Sequence, residues 1–446
     1  MDLRRASRGL AATVLALCAQ GSGTAQAEPH LQAVGESSLG YTDNAQASPR
    51  AADLHTKSAF WMLSPGLTLA FASASNLQRL SYRYEYDFYF NRDASSSSAN
   101  RIDYRGFFEL SRRVTLVLGG RATESDRFNS VAFAAPGAGA VGALPVGTGS
   151  YLDAAGDQAF GFDVAEGWRA WQSSSGVAET PLFDTQAPTT LGVGLRAGIE
   201  RSFLFDAVGV EGRSDYTTVS DSVTIDGNPA EVQQQLTGGG VALWRRDWGR
   251  SLSSTAEAGA LRVQRLNTQH GLWTPIGSAT LYYATEQGDA QLGYSHTLTT
   301  NALLGQSLIV DEVRLRGGLP LTEKGELSLT GSCAYQRGRL LDERAELATK
   351  VRVFLADLSL GWQATKLLGL GVRYEHIQQK SGSDTPPLPV SFVQNNVLLG
   401  AVLKFPPERD MPRPYRAPRR VDRSDELRDG FQPTAEGPRA PGEGAR

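Results

Sequence analysis

The stretch Leu80–Phe90 reads LSYRYEYDFYF, with Leu80, Tyr82, Tyr84, Tyr86, Phe88 and Phe90 at every second position and Ser81, Arg83, Glu85, Asp87 and Tyr89 between them. A strand directs successive side chains to opposite faces, so one face here is almost wholly aromatic and the other almost wholly polar. The pattern recurs along the chain. Ile102, Tyr104, Phe108 and Leu110 alternate with Asp103, Arg105, Glu109 and Ser111; Leu191, Val193, Leu195, Ala197 and Ile199 alternate with Gly192, Gly194, Arg196, Gly198 and Glu200. Val208 and Val210 alternate with Glu211, Arg213 and Asp215, and Val372, Tyr374 and His376 with Arg373 and Glu375. A period of two predicts strands, not helices. Many of these segments run about ten residues, the length a tilted strand needs to cross a bilayer.

The connections between them alternate long and short. Asn91–Arg101 is long and Ser111-Arg112 short; Asp126–Asp157 is very long and Ser173–Gly176 short; Ser220–Glu231 is long and Arg246–Gly249 short. Gln264–Leu272, Arg337–Thr349 and Gln379–Pro389 continue the long set, Glu286–Gly288 and Ala364–Lys366 the short one. Outer-membrane barrels separate their connections in this way, tight in the periplasm and long outside. The expected fold is therefore all-β, a closed antiparallel transmembrane barrel of about eighteen strands, with Leu31–Tyr41 and Val177–Phe183 the faintest. It must close, because an open edge in hydrocarbon leaves backbone groups unpaired. An even count returns both termini to the periplasm.

Facing follows from alternation. Tyr82, Tyr84, Tyr86 and Phe88 are expected to face lipid. Arg83, Glu85, Asp87, Arg105, Glu109, Arg121, Arg196, Glu200, Arg213, Asp215, Arg314, Arg316, Arg373 and Glu375 are expected to line a watery lumen, with the aromatics Tyr89, Phe107 and Trp171. Such a wall can hold its shape by pairing charges and can also wet a hydrophilic solute. Barrels of sixteen to eighteen strands leave an aqueous channel unless something fills it. Too few residues precede the first strand to make a folded plug, and the small apolar segment AFAAPGAGAVGALPVGTG is suited either to fold inward or to stay outside.

Composition is compatible with this. Hydrophobic residues are 41% and charged residues 20% of 446. No run of about twenty apolar residues exists, as a membrane helix would need. Residues 1–27 read as a cleaved signal peptide: Arg4, Arg5 and Arg8, a short apolar run from Leu10 to Ala19, then Ala25-Gln26-Ala27. The barrel then spans 28–405. Residues 406–446 hold eight of the 21 prolines with charges of both signs, the composition of a disordered periplasmic tail. The formal charge is −3, which offers nothing to attract nucleic acid. Cys18 leaves with the signal, so Cys333 has no partner for a disulfide or a metal cage.

Catalytic sets are thin. The five histidines show no H-E-x-x-H spacing. Ser295 and His296 are adjacent and face opposite sides. His296 and His376 are expected on the outward face as interface residues. Neither a cofactor nor a metal is expected, and the chain does not read as an enzyme. A lipid-modifying barrel enzyme would need a nucleophile and a base on the same face. A wall lacking any Ser–His or Asp–His contact would remove that possibility.

Gly400, Leu403 and Phe405 stand as G-x-x-L-x-F at the end of the last strand, and this resembles the terminal signal read by the barrel-assembly machinery. GYTDN (Gly40–Asn44), SPGLTLAF (Ser64–Phe71) and LQRLSYRYEYDFY (Leu77–Tyr89) make the chain similar to β-barrel porins found with exopolysaccharide biosynthesis clusters of Gram-negative bacteria. That resemblance implies a terminal conduit for polysaccharide secretion, working with periplasmic export and co-polymerase proteins. The alternation alone supplies a barrel, for which a general small-solute diffusion porin is the alternative.

Overall fold

A computed structural model describes the chain from Glu28 to Pro407, apart from residues 46–55, 74, 92–93, 95, 128–147, 182–188, 221–231, 250, 267–270, 286, 302–305, 324, 341–349 and 381–390. The segment expected as a signal peptide, nearly all of the expected tail and most of the AFAAPGAG segment lie outside the described residues.

The strands are β1 (Glu28–Thr42), β2 (Ser58–Ala72), β3 (Asn76–Tyr89), β4 (Ser97–Ser111), β5 (Val114–Arg127), β6 (Thr148–Ala165), β7 (Trp168–Pro181), β8 (Thr189–Ser202) and β9 (Asp206–Ser220). They continue as β10 (Gln233–Asp247), β11 (Leu252–Arg265), β12 (Gly271–Thr285), β13 (Gly288–Asn301), β14 (Gln306–Pro320), β15 (Leu327–Leu340), β16 (Lys350–Gln363), β17 (Leu368–Lys380) and β18 (Phe392–Phe405). Each pairs antiparallel with the next, and β18 pairs with β1, so the 18-stranded sheet closes into a barrel. The closing register sets Ala33 opposite Phe405 and Thr42 opposite Asn396. β1 starts and β18 ends on the rim of the tight turns, where Gln32 Nε2 donates to the Pro406 carbonyl over 2.8 Å.

Closure assigns the two faces. On the concave side, side chains from strands two apart converge and can touch; on the convex side they diverge. Arg83 of β3 reaches Glu36 of β1 at 3.4 Å, and Arg213 of β9 reaches Glu257 of β11. Both pairs skip a strand, so this parity faces the lumen. The opposite parity carries Leu67, Val193, Val210, Leu292, Leu315, Leu358 and Leu399, all exposed. Aromatic belts flank that aliphatic band. Trp61, Phe88, Trp273, Tyr335 and Tyr374 lie toward the long connections, and Trp168, Trp248, Tyr283, Trp362 and Phe405 toward the tight turns. Arg246 lies 4.5 Å from the Trp248 ring centroid, and Arg201 5.4 Å from that of Trp168. An apolar band between aromatic girdles is the exterior of a membrane barrel.

Three sequence expectations need correction. Ser173–Gly176 is no turn but the middle of β7, because Ser173 and Ser175 supply inward polar groups and Ser174 and Gly176 small outward ones. The turn before it is Glu166-Gly167, where Gly167 adopts φ 74°, a conformation glycine takes without a steric penalty. The connection expected over Asp126–Asp157 shortens, because β6 starts at Thr148. The alternation of connection length also lapses once: residues 302–305 join β13 to β14, while the opposite rim spends 321–326 on the next turn.

Candidate functional site: the lumen wall

Every residue expected in the lumen falls on the inward parity. Arg83 stands opposite Arg101 and Arg79 opposite Arg105; Glu85 faces Ala99, Asp87 Ser97, and Glu109 Thr115. Asp103 faces Arg121, which reaches Asp153 at 3.5 Å. Arg196 stands opposite Arg213, Glu200 opposite Gly209, and Asp215 between Gly194 and Thr237. Arg314 bonds Glu312 at 2.7 Å, and Glu312 also accepts from Gln336 at 2.8 Å. Arg316 stands opposite Ser332. Arg373 pairs with Asp357 at 2.5 Å and with Glu375 at 3.0 Å, and Glu375 accepts from Asn396. Tyr89 packs on Phe60 with ring centroids 5.4 Å apart, and Phe107 stands opposite Leu77. Tyr82, Tyr84, Tyr86 and Phe88 occupy the outward parity, as do Leu403 and Phe405, while Gly400 is inward.

The densest network runs from Trp171 of β7. Its Nε1–H donates to Glu211 of β9 at 3.0 Å; Glu211 accepts from Arg213 Nε at 2.6 Å; Arg213 Nη2 bonds Glu257 of β11 at 2.5 Å. Between Trp171 and Glu211 lies Gly198 of β8, opposite both. A Cβ there would run into the indole ring, so the missing side chain is what lets Trp171 lie across β8.

The inner wall is not polar throughout. Val241, Leu243, Leu261 and Ile276 on β10–β12 form a buried cluster against which Trp171 packs. Leu308, Val310, Val351 and Val353 form another on β14 and β16. Sequence reading missed the first because Val241, Ala242, Leu243 and Trp244 are apolar on both parities, which erases the period-two signal.

His296 and His376 are outward, as expected, but the wall does hold an Asp–His contact. His296 Nδ1 lies 2.6 Å from Asp311, which also accepts from the Tyr294 hydroxyl at 3.1 Å. A parallel arrangement sets His376 Nδ1 2.7 Å from Asn395, which accepts from Tyr374 at 2.8 Å. Besides Asp311, Asn395, Tyr294 and Tyr374, the outward residues opposite and beside these histidines are Gly277, Leu298, Ala356 and Gln378, none of them a serine, threonine or cysteine. Among the described residues no group of His, Cys, Asp and Glu could hold a metal ion.

The motif GYTDN is a seam. Asp43 accepts from the Asn395 backbone N–H at 2.7 Å and from its side chain at 2.6 Å, Asn44 donates to the Val393 carbonyl at 3.0 Å, and Gln394 donates to the Asn44 carbonyl at 3.0 Å. These bonds lock the first strand to the last at the rim of the long connections. The motif's residues thus have a structural task in closure.

No family model matches the chain, and no curated protein matches it. Solved structures similar to it include Pseudomonas aeruginosa OpdO, with TM-score 0.43, 14% identity, 85% of this chain and 98% of that chain covered. Pseudomonas aeruginosa OccK2 (OpdF) gives TM-score 0.46 at 12% identity over 85% and 98%. Acinetobacter baumannii OccAB3 gives 0.43 at 11% over 85% and 100%.

Proposed function

We propose that the protein is an integral outer-membrane channel through which small hydrophilic solutes diffuse, with no catalytic step and no cofactor. The observation that carries this reading is the charged inner wall of a closed 18-stranded barrel, a size that leaves an aqueous path. The charge is unevenly placed. Strands β3–β5 present Arg79, Arg83, Arg101, Arg105 and Arg121 against Glu85, Asp87, Asp103 and Glu109. Strands β6–β9 present Asp153, Asp157, Asp163, Glu179, Glu200, Glu211 and Asp215 against Arg169, Arg196 and Arg213. A nearly balanced sector beside a strongly anionic one sets a field across the bore. Dipolar and charged solutes orient in such a field, and rings of charge tune selectivity.

In planar bilayers the purified protein should show stable steps of conductance, and proteoliposomes should admit small sugars. Replacing Arg83 and Arg101 together by Glu should move the permeability ratio several-fold toward cations. A protein that inserts but conducts nothing would contradict the channel reading.

A second reading keeps polysaccharide export, with polysaccharide as cargo and periplasmic export and co-polymerase proteins as partners. The tilted Phe60–Tyr89 ring pair on the inner wall favours it, since aromatic side chains suit sugar rings. Deleting the gene should then abolish surface polymer while precursor is still made. Unchanged surface polymer in the deletion strain would dispose of this reading and leave small-solute diffusion.

A further inference from the structure

One outward row of side chains crosses five strands. His296 of β13 stands directly opposite Asp311 of β14, Asp311 opposite Arg337 of β15, Arg337 opposite Arg352 of β16, and Arg352 opposite Lys380 of β17. Arg339 is the next outward residue on β15. The four cations are exposed, on the lipid-facing parity. Among the described residues, no ion pair joins any of them to a carboxylate within salt-bridge distance, and Asp311 is already bonded by His296 and Tyr294.

Like charges directly opposite on neighbouring strands sit about 5 Å apart at Cβ and repel. Asp311 offsets this at one end of the row only, and a further anion lying among the cations would relieve the rest of the repulsion. Its place in the membrane narrows the choice. Tyr335 and Phe354, both exposed, are one outward position nearer the middle of the wall, and they belong to the aromatic belt. The cations therefore begin roughly 7 Å along the strand beyond that belt, at headgroup level. Leu340, Lys350 and Lys380 all end their strands at long connections, the rim that faces the cell exterior in barrels of this kind. The headgroups of that leaflet are phosphorylated saccharides.

We propose that Arg337, Arg339, Arg352 and Lys380 form a binding site on the outer wall for the phosphorylated sugar headgroup of an outer-leaflet glycolipid. The guanidinium forks of Arg337 and Arg352 bracket one phosphate bidentately, Lys380 adds a point charge at the rim, and His296 with Asp311 closes the row. The site is independent of what passes through the lumen.

The full-length protein is purified in detergent, and binding of bis-phosphorylated lipid A and of its dephosphorylated form is measured by native mass spectrometry. The wild type should retain the phosphorylated lipid and not the other. The R337Q/R352Q/K380Q protein should bind it roughly a hundredfold more weakly. R262Q, which removes an outward charge at the same rim on β11, should bind like wild type. Heat-modifiable gel mobility checks that each barrel is intact. If the triple variant does not assemble, K380Q alone should show roughly a fivefold loss, and R337K/R352K, which keeps the charges without the forks, should bind more weakly than wild type. Equal retention of both lipids by the wild type, or undiminished binding by an intact triple variant, would overturn the proposal. So would displacement of the lipid by an equal concentration of inorganic phosphate, which would show a site for free anions.

Discussion

Replacing Arg213 by Leu is expected to destabilise the barrel by about 3–5 kcal/mol, the cost of leaving a buried charge without its partner. The Arg213 side chain is only 9% exposed, and it lies between Glu211 and Glu257, which are 5% and 13% exposed. Removing the cation leaves two carboxylates close together in a poorly hydrated part of the wall. The indole N–H of Trp171 stays with Glu211 and can offset only a small part of the loss. The full variant R213L/E211Q/E257Q should recover most of the stability, since replacing a whole buried ionic group is often neutral. The measurement is the urea midpoint for unfolding of the barrel in detergent, with equal slopes required for comparison. An R213L barrel as stable as wild type would mean that water reaches Glu211 and Glu257 freely, so that the network is a surface of the pore instead of a packed part of its wall.

That network also shows what a linear sequence can and cannot give. The facing of Glu211 and Arg213 is legible, because a strand in a closed barrel has only two sides and one of them must be apolar. Arg213 and Glu211 are two residues apart on one strand, so their pairing is legible as well. Their links to Trp171 and Glu257 are not, because these depend on the register of β7 through β11 and on curvature that brings strands two apart into reach. Gly198 illustrates the gap. The sequence shows an inward glycine, which suits a wide bore, whereas the structure fills its place with the Trp171 ring. The same limit applied to Ser173–Gly176. Four small residues look like a turn until pairing to Ala159 and Arg196 places Ser173 inside a strand, and the turn-maker proves to be Gly167.

The row of outward cations was hidden for the same reason. Arg337, Arg352 and Lys380 are spread over 44 positions of the chain, and only the registers β15–β16 and β16–β17 bring them side by side. Alternation assigns each to the lipid side, where a lone Lys or Arg near a strand end is unremarkable because its stem can carry the charge to the interface. Their opposition across the sheet is what asks for an anion.

The aliphatic parity faces hydrocarbon, and a single charge tests this. Leu292 on β13 is 49% exposed and stands between Leu281 and Leu315, themselves 42% and 49% exposed, with Tyr294 and Ala290 above and below it. Leu292→Arg is expected to cost about 2–4 kcal/mol, the value for an arginine near the midplane of a membrane barrel. Gly293, the next residue, points into the lumen between Thr280 and Arg314. Gly293→Ser should therefore cost far less, although it also adds a polar group to the same turn of chain, and a Cβ there meets the Thr280 hydroxyl only at ordinary contact distance, 3.6 Å. Folding into phospholipid vesicles from urea, followed by heat-modifiable mobility, reads both variants. In a soluble sheet the order would reverse or vanish: an arginine at a half-exposed position would be solvated, and insertion into vesicles would not be seen for either protein. The size of the difference between adjacent residues is what separates the two cases. Burial in water-accessible protein and burial in lipid treat a leucine alike and treat an arginine oppositely.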